Sequence, residues 1–217
     1  MFTGIVEELG KVRSISYGTK SIKIVIGSSK VIEGTKIGDS IAVNGVCLTV
    51  TEMGNGFFVA DVMPETLRKT SLKDLEVSSF VNLERALKLS DRLGGHLVSG
   101  HIDGTGVISE KAEEDNAVWY SIKAHEEILK YIILKGSVAI DGTSLTVAYV
   151  DHDIFKVSLI PHTRQVTTLG IKKAGDTVNI EVDQIAKYVE KLTMFNSKDS
   201  ENKSRLSMDF LRDNGFL

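Results

Sequence analysis

A single cysteine, Cys47, stands among the 217 residues, so no intrachain disulfide and no thiolate cluster for zinc can form. That usage suits a reducing cytoplasm. There is no surplus of basic charge: the net charge is −3 and the isoelectric point about 6.0. With both signs interspersed, nothing electrostatic points to nucleic acid or an anionic membrane as partner. No uninterrupted apolar run approaches the roughly 20 residues of a membrane helix. The first twelve residues carry Glu7, Glu8 and Gly10 where a signal peptide has a basic and then an apolar stretch. Also missing are a P-loop, His-Glu-x-x-His, Gly-x-Ser-x-Gly, and a Gly-x-Gly-x-x-Gly opening a strand-linked helix. Nucleotide-dependent and metal-dependent chemistry are disfavoured, and a small-molecule partner is expected.

What is present is an ordinary globular balance, 42% hydrophobic and 25% charged, arranged as an internal repeat. Ser40-Ile-Ala-Val-Asn-Gly-Val-Cys-Leu-Thr-Val50 falls on Ser137-Val-Ala-Ile-Asp-Gly-Thr-Ser-Leu-Thr-Val147 at a shift of 97, with six of eleven positions identical. The register continues from Pro64, Thr66, Thr70 and Leu72 to Pro161, Thr163, Thr167 and Leu169, and from Val81–Glu84 to Val178–Glu181. Near the starts the shift is 96, aligning Gly4 with Gly100 and Gly10 with Gly106. The organisation expected is a first repeat over residues 1–96, a second over 97–193, and a polar, mobile tail over 194–217.

Each copy consists of short runs rich in valine, isoleucine and threonine between turn residues, the pattern of strands in a closed barrel or sandwich. Strands are expected at Ile22–Ile26, Ser40–Val43, Leu48–Thr51 and Phe57–Val62, then at Val118–Ile122, Ser137–Ile140, Leu145–Val150 and Phe155–Ile160. Asn44-Gly45 and Asp141-Gly142 each separate two apolar runs and tolerate the positive φ of a tight hairpin. Pro64 and Pro161 follow the fourth run of each copy and predict a short helix there. Acids in a first turn, Ile128, Leu129 and Ile132 on one side, and Gly136 at the exit predict a helix over Glu126–Leu134. Ile185, Tyr188, Val189 and Leu192 recur at helical spacing as an apolar stripe suited to an intermolecular contact. Residues 196–204 read as a linker, and Leu206, Phe210 and Leu211 as a short amphipathic turn.

The copies differ at reactive positions. Cys47 stands opposite Ser144, Glu65 opposite His162, Ile5 opposite His101 and Ala86 opposite Asp183, so the second copy has gained two imidazoles and a carboxylate. In Gly94-Gly-His-Leu-Val-Ser-Gly-His-Ile-Asp-Gly104, four glycines let backbone approach a ligand or simply let the chain turn. His101 reads as functional there and His96 as structural. Cys47 and Ser144 both precede Leu-Thr after an Asx-Gly turn, so Thr49 and Thr146 share their side of the strand. Such a face serves a ligand or merely solvent.

These motifs carry a resemblance. Met1-Phe-Thr-Gly-Ile-Val6, Asn44-Gly-Val-Cys-Leu-Thr49, Met63-Pro-Glu-Thr66, Gly94-Gly-His-Leu-Val-Ser-Gly-His101 and Asp141-Gly-Thr-Ser-Leu-Thr146 resemble the riboflavin synthase family, built from two lumazine-binding repeats. The likeness runs from Met1 to about Leu192. It implies an all-β fold of two tandem six-stranded Greek-key barrels with short helices and a C-terminal oligomerisation helix. It further implies a transferase without cofactor or metal, in which two molecules of 6,7-dimethyl-8-ribityllumazine exchange a four-carbon unit to give riboflavin and 5-amino-6-ribitylaminouracil. A homotrimer through the C-terminal stripe is implied, as is association with lumazine synthase. The resemblance places the productive site between the first barrel of one subunit and the second of another.

Carried over by motif, the first barrel holds its ligand with Gly4, Ile5 and Val6, with Cys47, Leu48 and Thr49, and with Asp61, Val62, Met63, Pro64, Glu65 and Thr66. The second uses Gly100, His101 and Ile102, Lys135, then Ser144, Leu145 and Thr146, and Ser158, Leu159, Ile160, Pro161, His162 and Thr163. His101, Cys47, Ser144, Thr146 and Asp183 resemble the catalytic candidates, with His101 and Asp183 of one subunit expected beside Cys47 of its neighbour. Phe2 and Thr3 are expected to close the first site. The duplicated fold is also that of non-catalytic, fluorescent lumazine or flavin carriers, which typically lose the reactive residues of one barrel. Here Phe2, Thr3, Cys47, His101 and Asp183 are all present. A barrel that merely binds a partner such as an oligonucleotide fits less well, because a basic face studded with aromatics is lacking.

Overall fold

The computed structural model describes residues 1–18, 21–201 and 208–216. Six strands build the first barrel: β1 (Glu8–Tyr17), β2 (Ile22–Gly27), β3 (Ser40–Val43), β4 (Val46–Gly54), β5 (Phe57–Val62) and β6 (Phe80–Arg85). Six more build the second: β7 (Gly104–Glu114), β8 (Ala117–Lys123), β9 (Ser137–Ile140), β10 (Thr143–Val150), β11 (Ile154–Leu159) and β12 (Thr177–Val182). The first closes in the order β1-β2-β5-β4-β3-β6, and the second repeats that order as β7-β8-β11-β10-β9-β12. Every pairing is antiparallel. Closure removes sheet edges. The expected all-β pair of six-stranded barrels is what forms.

Alternation sets the interior of each barrel. In β2, Ile22, Ile24 and Ile26 point inward while Lys23 and Val25 do not, and they meet Val12, Ile41, Val50, Phe58, Val81 and Leu83 in one core. Ile108, Tyr120, Ile122, Val138, Phe155, Val178 and Ile180 fill the second. Bulges recur at matching places, Val12/Ser14 with Ile108/Glu110 and Val50/Glu52 with Val147/Tyr149. A β-bulge bends one strand more sharply than its partner, and shared bulges give the two copies the same curvature.

Short helices α1 (Pro64–Lys69) and α3 (Pro161–Val166) start on their prolines as expected. The helix expected over Glu126–Leu134 is shorter: α2 is only Glu126–Leu129. Beyond it the bonds tighten to three-residue turns, Tyr131 N–H to Ile128 O and Ile132 N–H to Leu129 O, which let Ile132 join Ile128 and Leu129 in the core.

The chain divides after Asp183 into one compact unit holding both barrels and a second from Gln184 on. In that second unit α4 (Gln184–Glu201) presents Ile185, Tyr188, Val189 and Leu192 exposed. Residues 196–201, expected as linker, continue the helix, while 202–204 and Leu206 lie outside the described residues. Phe210 and Leu211 fall in α5 (Met208–Asp213). Among the described residues no helix is long and apolar enough to cross a membrane.

The two barrels meet back to back at their hairpins. Asn44 and Asp141 have φ of +46° and +45°, and Gly45 and Gly142 follow at +80° and +75°, the geometry of a two-residue I′ turn. The glycines touch: a Cβ on either would lie 2.7 Å from the other's backbone nitrogen. Asn82 and Asn179 tie the contact crosswise. Asn82 donates to Asp141 O (2.8 Å) and accepts from Thr168 N–H (2.7 Å), while Asn179 donates to Asn44 O (2.9 Å) and accepts from Ser71 N–H (2.7 Å).

Candidate active site

A strap of chain precedes each barrel, residues 1–6 before β1 and 97–102 before β7. The straps pair with each other, Phe2 N–H to Val98 O at 2.7 Å and Val98 N–H to Phe2 O at 3.1 Å. Phe2 is fully buried with Val98, Ala42 and Ala139, and Cys47 packs against that cluster. Behind each strap lies a buried carboxylate. Glu84 accepts from Thr3 N–H (2.6 Å), Thr3 Oγ1 (2.7 Å) and Gly4 N–H (3.0 Å). Glu181 accepts from Ser99 N–H (2.6 Å), Ser99 Oγ (2.7 Å) and Gly100 N–H (2.9 Å).

At Gly4 and Gly100 φ is +76° and +83°, a conformation that glycine adopts at no steric cost. The reversal sends each glycine's carbonyl to the opposite barrel. Gly4 O accepts from Ser144 N–H at 2.8 Å, and Gly100 O accepts from Cys47 N–H at 2.9 Å. The expected grouping is thereby crossed: Gly4 belongs with Ser144 of the second barrel, and Gly100 with Cys47 of the first. No larger residue fits, since a Cβ on Gly4 would sit 2.6 Å from Ser144 Cβ and one on Gly100 2.5 Å from Cys47 Cβ.

The capped segments border openings in the ladders. β4 pairs with β3 from Ser40↔Thr49 to Val43↔Val46, but its register with β5 runs outward only from Val50↔Ala60. Cys47–Thr49 and Asp61–Met63 therefore flank a slot. Val50 N–H and C=O both bond toward the β3 side, to Asp39 O and Gly38 N–H, so by alternation the backbone groups of Thr49 face β5. In the second barrel the register of β10 with β11 begins at Val147↔Val157, and Ser144–Thr146 and Ser158–Ile160 flank the matching slot. Leu48, Val62 and Leu159 are core residues beneath, while Thr49, Asp61, Met63, Thr146 and Ile160 are exposed and Leu145, Ser158, Thr66 and Thr163 half-buried. Pro64 and Pro161 open the helices at the slot ends, carrying Glu65 and His162 on their exposed first turns. Glu65 pairs with Arg68 (2.7 Å) and Lys69 (3.0 Å).

Two imidazoles take different places. His101, exposed, follows Gly100, whose carbonyl takes the N–H of Cys47 in the same chain. Its N–H donates to Ser99 Oγ at 3.2 Å, and Ile102 continues toward the Gly45 turn, with Cδ1 3.4 Å from where a Gly45 Cβ would be. The residue that the sequence reading leaves as structural is engaged at the second slot: His96 Nδ1 lies 2.7 Å from Ser144 Oγ. Burial holds the His96 imidazole below its usual range, against the opposing pull of the Asp183 and Glu181 charges. Among the described residues its buried Nε2 has no hydrogen-bond partner. The charge of Asp183 thus acts on His96 at the second slot. Burial pushes the Glu84 carboxyl up, its strap bonds acting against that.

Lys135 adopts φ of +64° where the first copy has Gly38 at +94°. Both make the same bond, Lys135 N–H to Val147 O at 2.8 Å and Gly38 N–H to Val50 O at 2.9 Å. A lysine held in the left-handed region is uncommon, and it stands one residue from Thr146 across this bond. Ile5 and Val6 complete the first strap, Ile5 exposed and Val6 half-buried. Ile5 lines a cleft of about 560 Å³ with Thr3, Glu84 and Ala86.

This duplicated geometry has known counterparts. The lumazine binding domain matches residues 3–86 and again 99–183. Riboflavin synthase of Actinobacillus pleuropneumoniae is 51% identical over 216 residues, all of both chains, and that of Bacillus subtilis (strain 168) 46% over 218, again all of both. A crystal structure of LumP complexed with 6,7-dimethyl-8-(1'-D-ribityl) lumazine superposes with a TM-score of 0.76 at 26% identity, covering 84% of this chain and 99% of that one. With both repeats matched and full-length relatives near half identity, the chain belongs to the riboflavin synthase family, enzymes of the transferase class built on two lumazine-binding domains.

Proposed function

We propose that the chain catalyses the dismutation of two molecules of 6,7-dimethyl-8-ribityllumazine to riboflavin and 5-amino-6-ribitylaminouracil, with no cofactor. The observation that carries this reading is the pair of matching slots, each capped by the other barrel's strap and furnished with different reactive side chains. Two identical substrates bind alike, one per slot, yet meet different chemistry. Thr49 and Thr146 offer backbone and hydroxyl groups to the pyrimidinedione edge, and polar residues at the helix starts, Glu65 and His162 among them, suit the ribityl chain.

The reaction removes a proton from the 7-methyl group of one lumazine and adds a nucleophile at the same ring carbon of the other. We assign proton transfer to His101 beside Cys47. Nucleophile addition falls to Ser144 in contact with His96, supported by Thr146 and Asp183 and with Lys135 at the rim. Burial keeps His96 neutral near pH 7, so it can accept the Ser144 proton. Holding two substrates in register removes translational and rotational entropy, about 7–11 kcal/mol of barrier in favourable cases.

The same reading makes the chain a cytoplasmic homotrimer associated through α4, whose Tyr188 and Leu192 are 67% and 63% exposed, with repeats over 1–96 and 97–193 meeting between subunits. It also makes lumazine synthase a partner, checked by co-sedimentation. The function is tested by incubating the protein with the lumazine alone: riboflavin formation supports it. Binding without turnover would instead make this a carrier, the use suggested by the LumP likeness.

A further inference from the structure

The two buried carboxylates behind the straps have no role in the chemistry above, and their placement is the same in both copies. Glu84 on β6 and Glu181 on β12 are 6% and 1% exposed, at equivalent places next to Leu83 and Ile180, which fill the two cores. A buried carboxylate is costly unless its oxygens are satisfied, and each here takes three bonds from one strap. A single residue then links carboxylate to slot. Gly4 gives its N–H to Glu84 and its carbonyl to Ser144, and Gly100 gives its N–H to Glu181 and its carbonyl to Cys47.

We propose that Glu84 and Glu181 are positioning residues that act crosswise: Glu84 of the first barrel sets the ligand slot of the second, and Glu181 of the second sets that of the first. The carboxylate orients the glycine peptide, the glycine carbonyl anchors the N–H of Ser144 or Cys47, and the reactive side chain is aimed by that anchor. Glutamine cannot replace them. Its amide keeps one acceptor oxygen and turns an NH₂ toward the other strap donor, donor facing donor. As a consequence neither barrel completes its own slot, and the two half-sites are coupled within each chain.

This rests on the proposed function only for its link to catalysis, so the test separates the two. Methyl NMR of the full-length protein, labelled at leucine and valine, compares Glu84→Gln with Glu181→Gln. Glu84→Gln is expected to shift Leu145 and Val147 of the second slot and spare Leu48 and Val50, and Glu181→Gln to do the reverse. Titration with a lumazine analogue lacking the 7-methyl group should then show about tenfold weaker binding at the slot opposite the substitution. Should Glu84→Gln fail to fold, Thr3→Val removes one strap donor and leaves the carboxylate, with a smaller displacement in the same crosswise sense. Shifts confined to the substituted barrel's own slot, or equal in both slots, overturn the proposal. Crosswise shifts in a protein that binds no lumazine would keep it and overturn the function instead.

Discussion

Substituting Gly100 by alanine tests the strap exchange at its tightest point. The new Cβ would lie 2.5 Å from Cys47 Cβ and 2.8 Å from Phe2 Cε2, at a φ of +83°. A left-handed alanine costs about 1–2 kcal/mol, and forcing a methyl into a packed site about 1–3 kcal/mol, so about 2–5 kcal/mol is expected in all. Gly175 provides the control, with φ of +95° and nothing within 4 Å of its added Cβ. Gly175→Ala bears only the conformational cost. Urea denaturation of the two variants should differ by about 1–3 kcal/mol, the steric part alone. Because the strap can escape only by releasing Cys47 N–H, Gly100→Ala should also raise KM for the lumazine, which Gly175→Ala should not. Equal stability within about 0.5 kcal/mol together with an unchanged KM would refute the seating of Gly100 on Cys47.

Burial holds the His96 pKa below the unfolded value of about 6.5, so between the two values the unfolded chain binds more protons. The resulting stability is present above about pH 6.5 and is lost as pH falls through the folded value; His96→Asn should flatten that slope in denaturation curves from pH 5 to 7.5. Glu84 and Asp141, both raised by burial, act with the opposite sign, and they cancel in the difference between parent and variant. Asn82→Ala and Asn179→Ala should each leave one buried N–H and one carbonyl unpaired, for about 2–6 kcal/mol at about 1–3 per group; denaturation midpoints should fall alike, given their matching bonds. Leu192→Asp on the exposed face of α4 should give a smaller species in analytical ultracentrifugation, and that species should bind lumazine while forming little riboflavin.

The barrels are legible in the sequence wherever apolar residues alternate, as at Ile22–Ile26 and Phe57–Val62, and wherever an Asx-Gly pair demands a positive φ. The opening strands β1 and β7 are not, because Glu8–Tyr17 and Gly104–Glu114 carry lysines, glutamates and serines that face outward and mask their few inward valines and isoleucines. Comparing the copies picks out Cys47 with Ser144 and Ile5 with His101, since each stands opposite a differing partner. It is blind to His96, which lies past the aligned positions of the first copy and before those of the second. Nor can it reveal the strap exchange. Each strap adjoins its own barrel in sequence, and only the φ of Gly4 and Gly100, invisible in a residue pattern, turns the carbonyl across.

Dismutation within this fold requires two working slots per chain. The number of molecules bound per chain of a lumazine analogue that lacks the 7-methyl group, and so cannot react, tests this directly by calorimetric titration. Two per chain is the predicted result. Saturation at one per chain would contradict it, leaving one barrel as scaffold and the dismutation without a place for its second substrate.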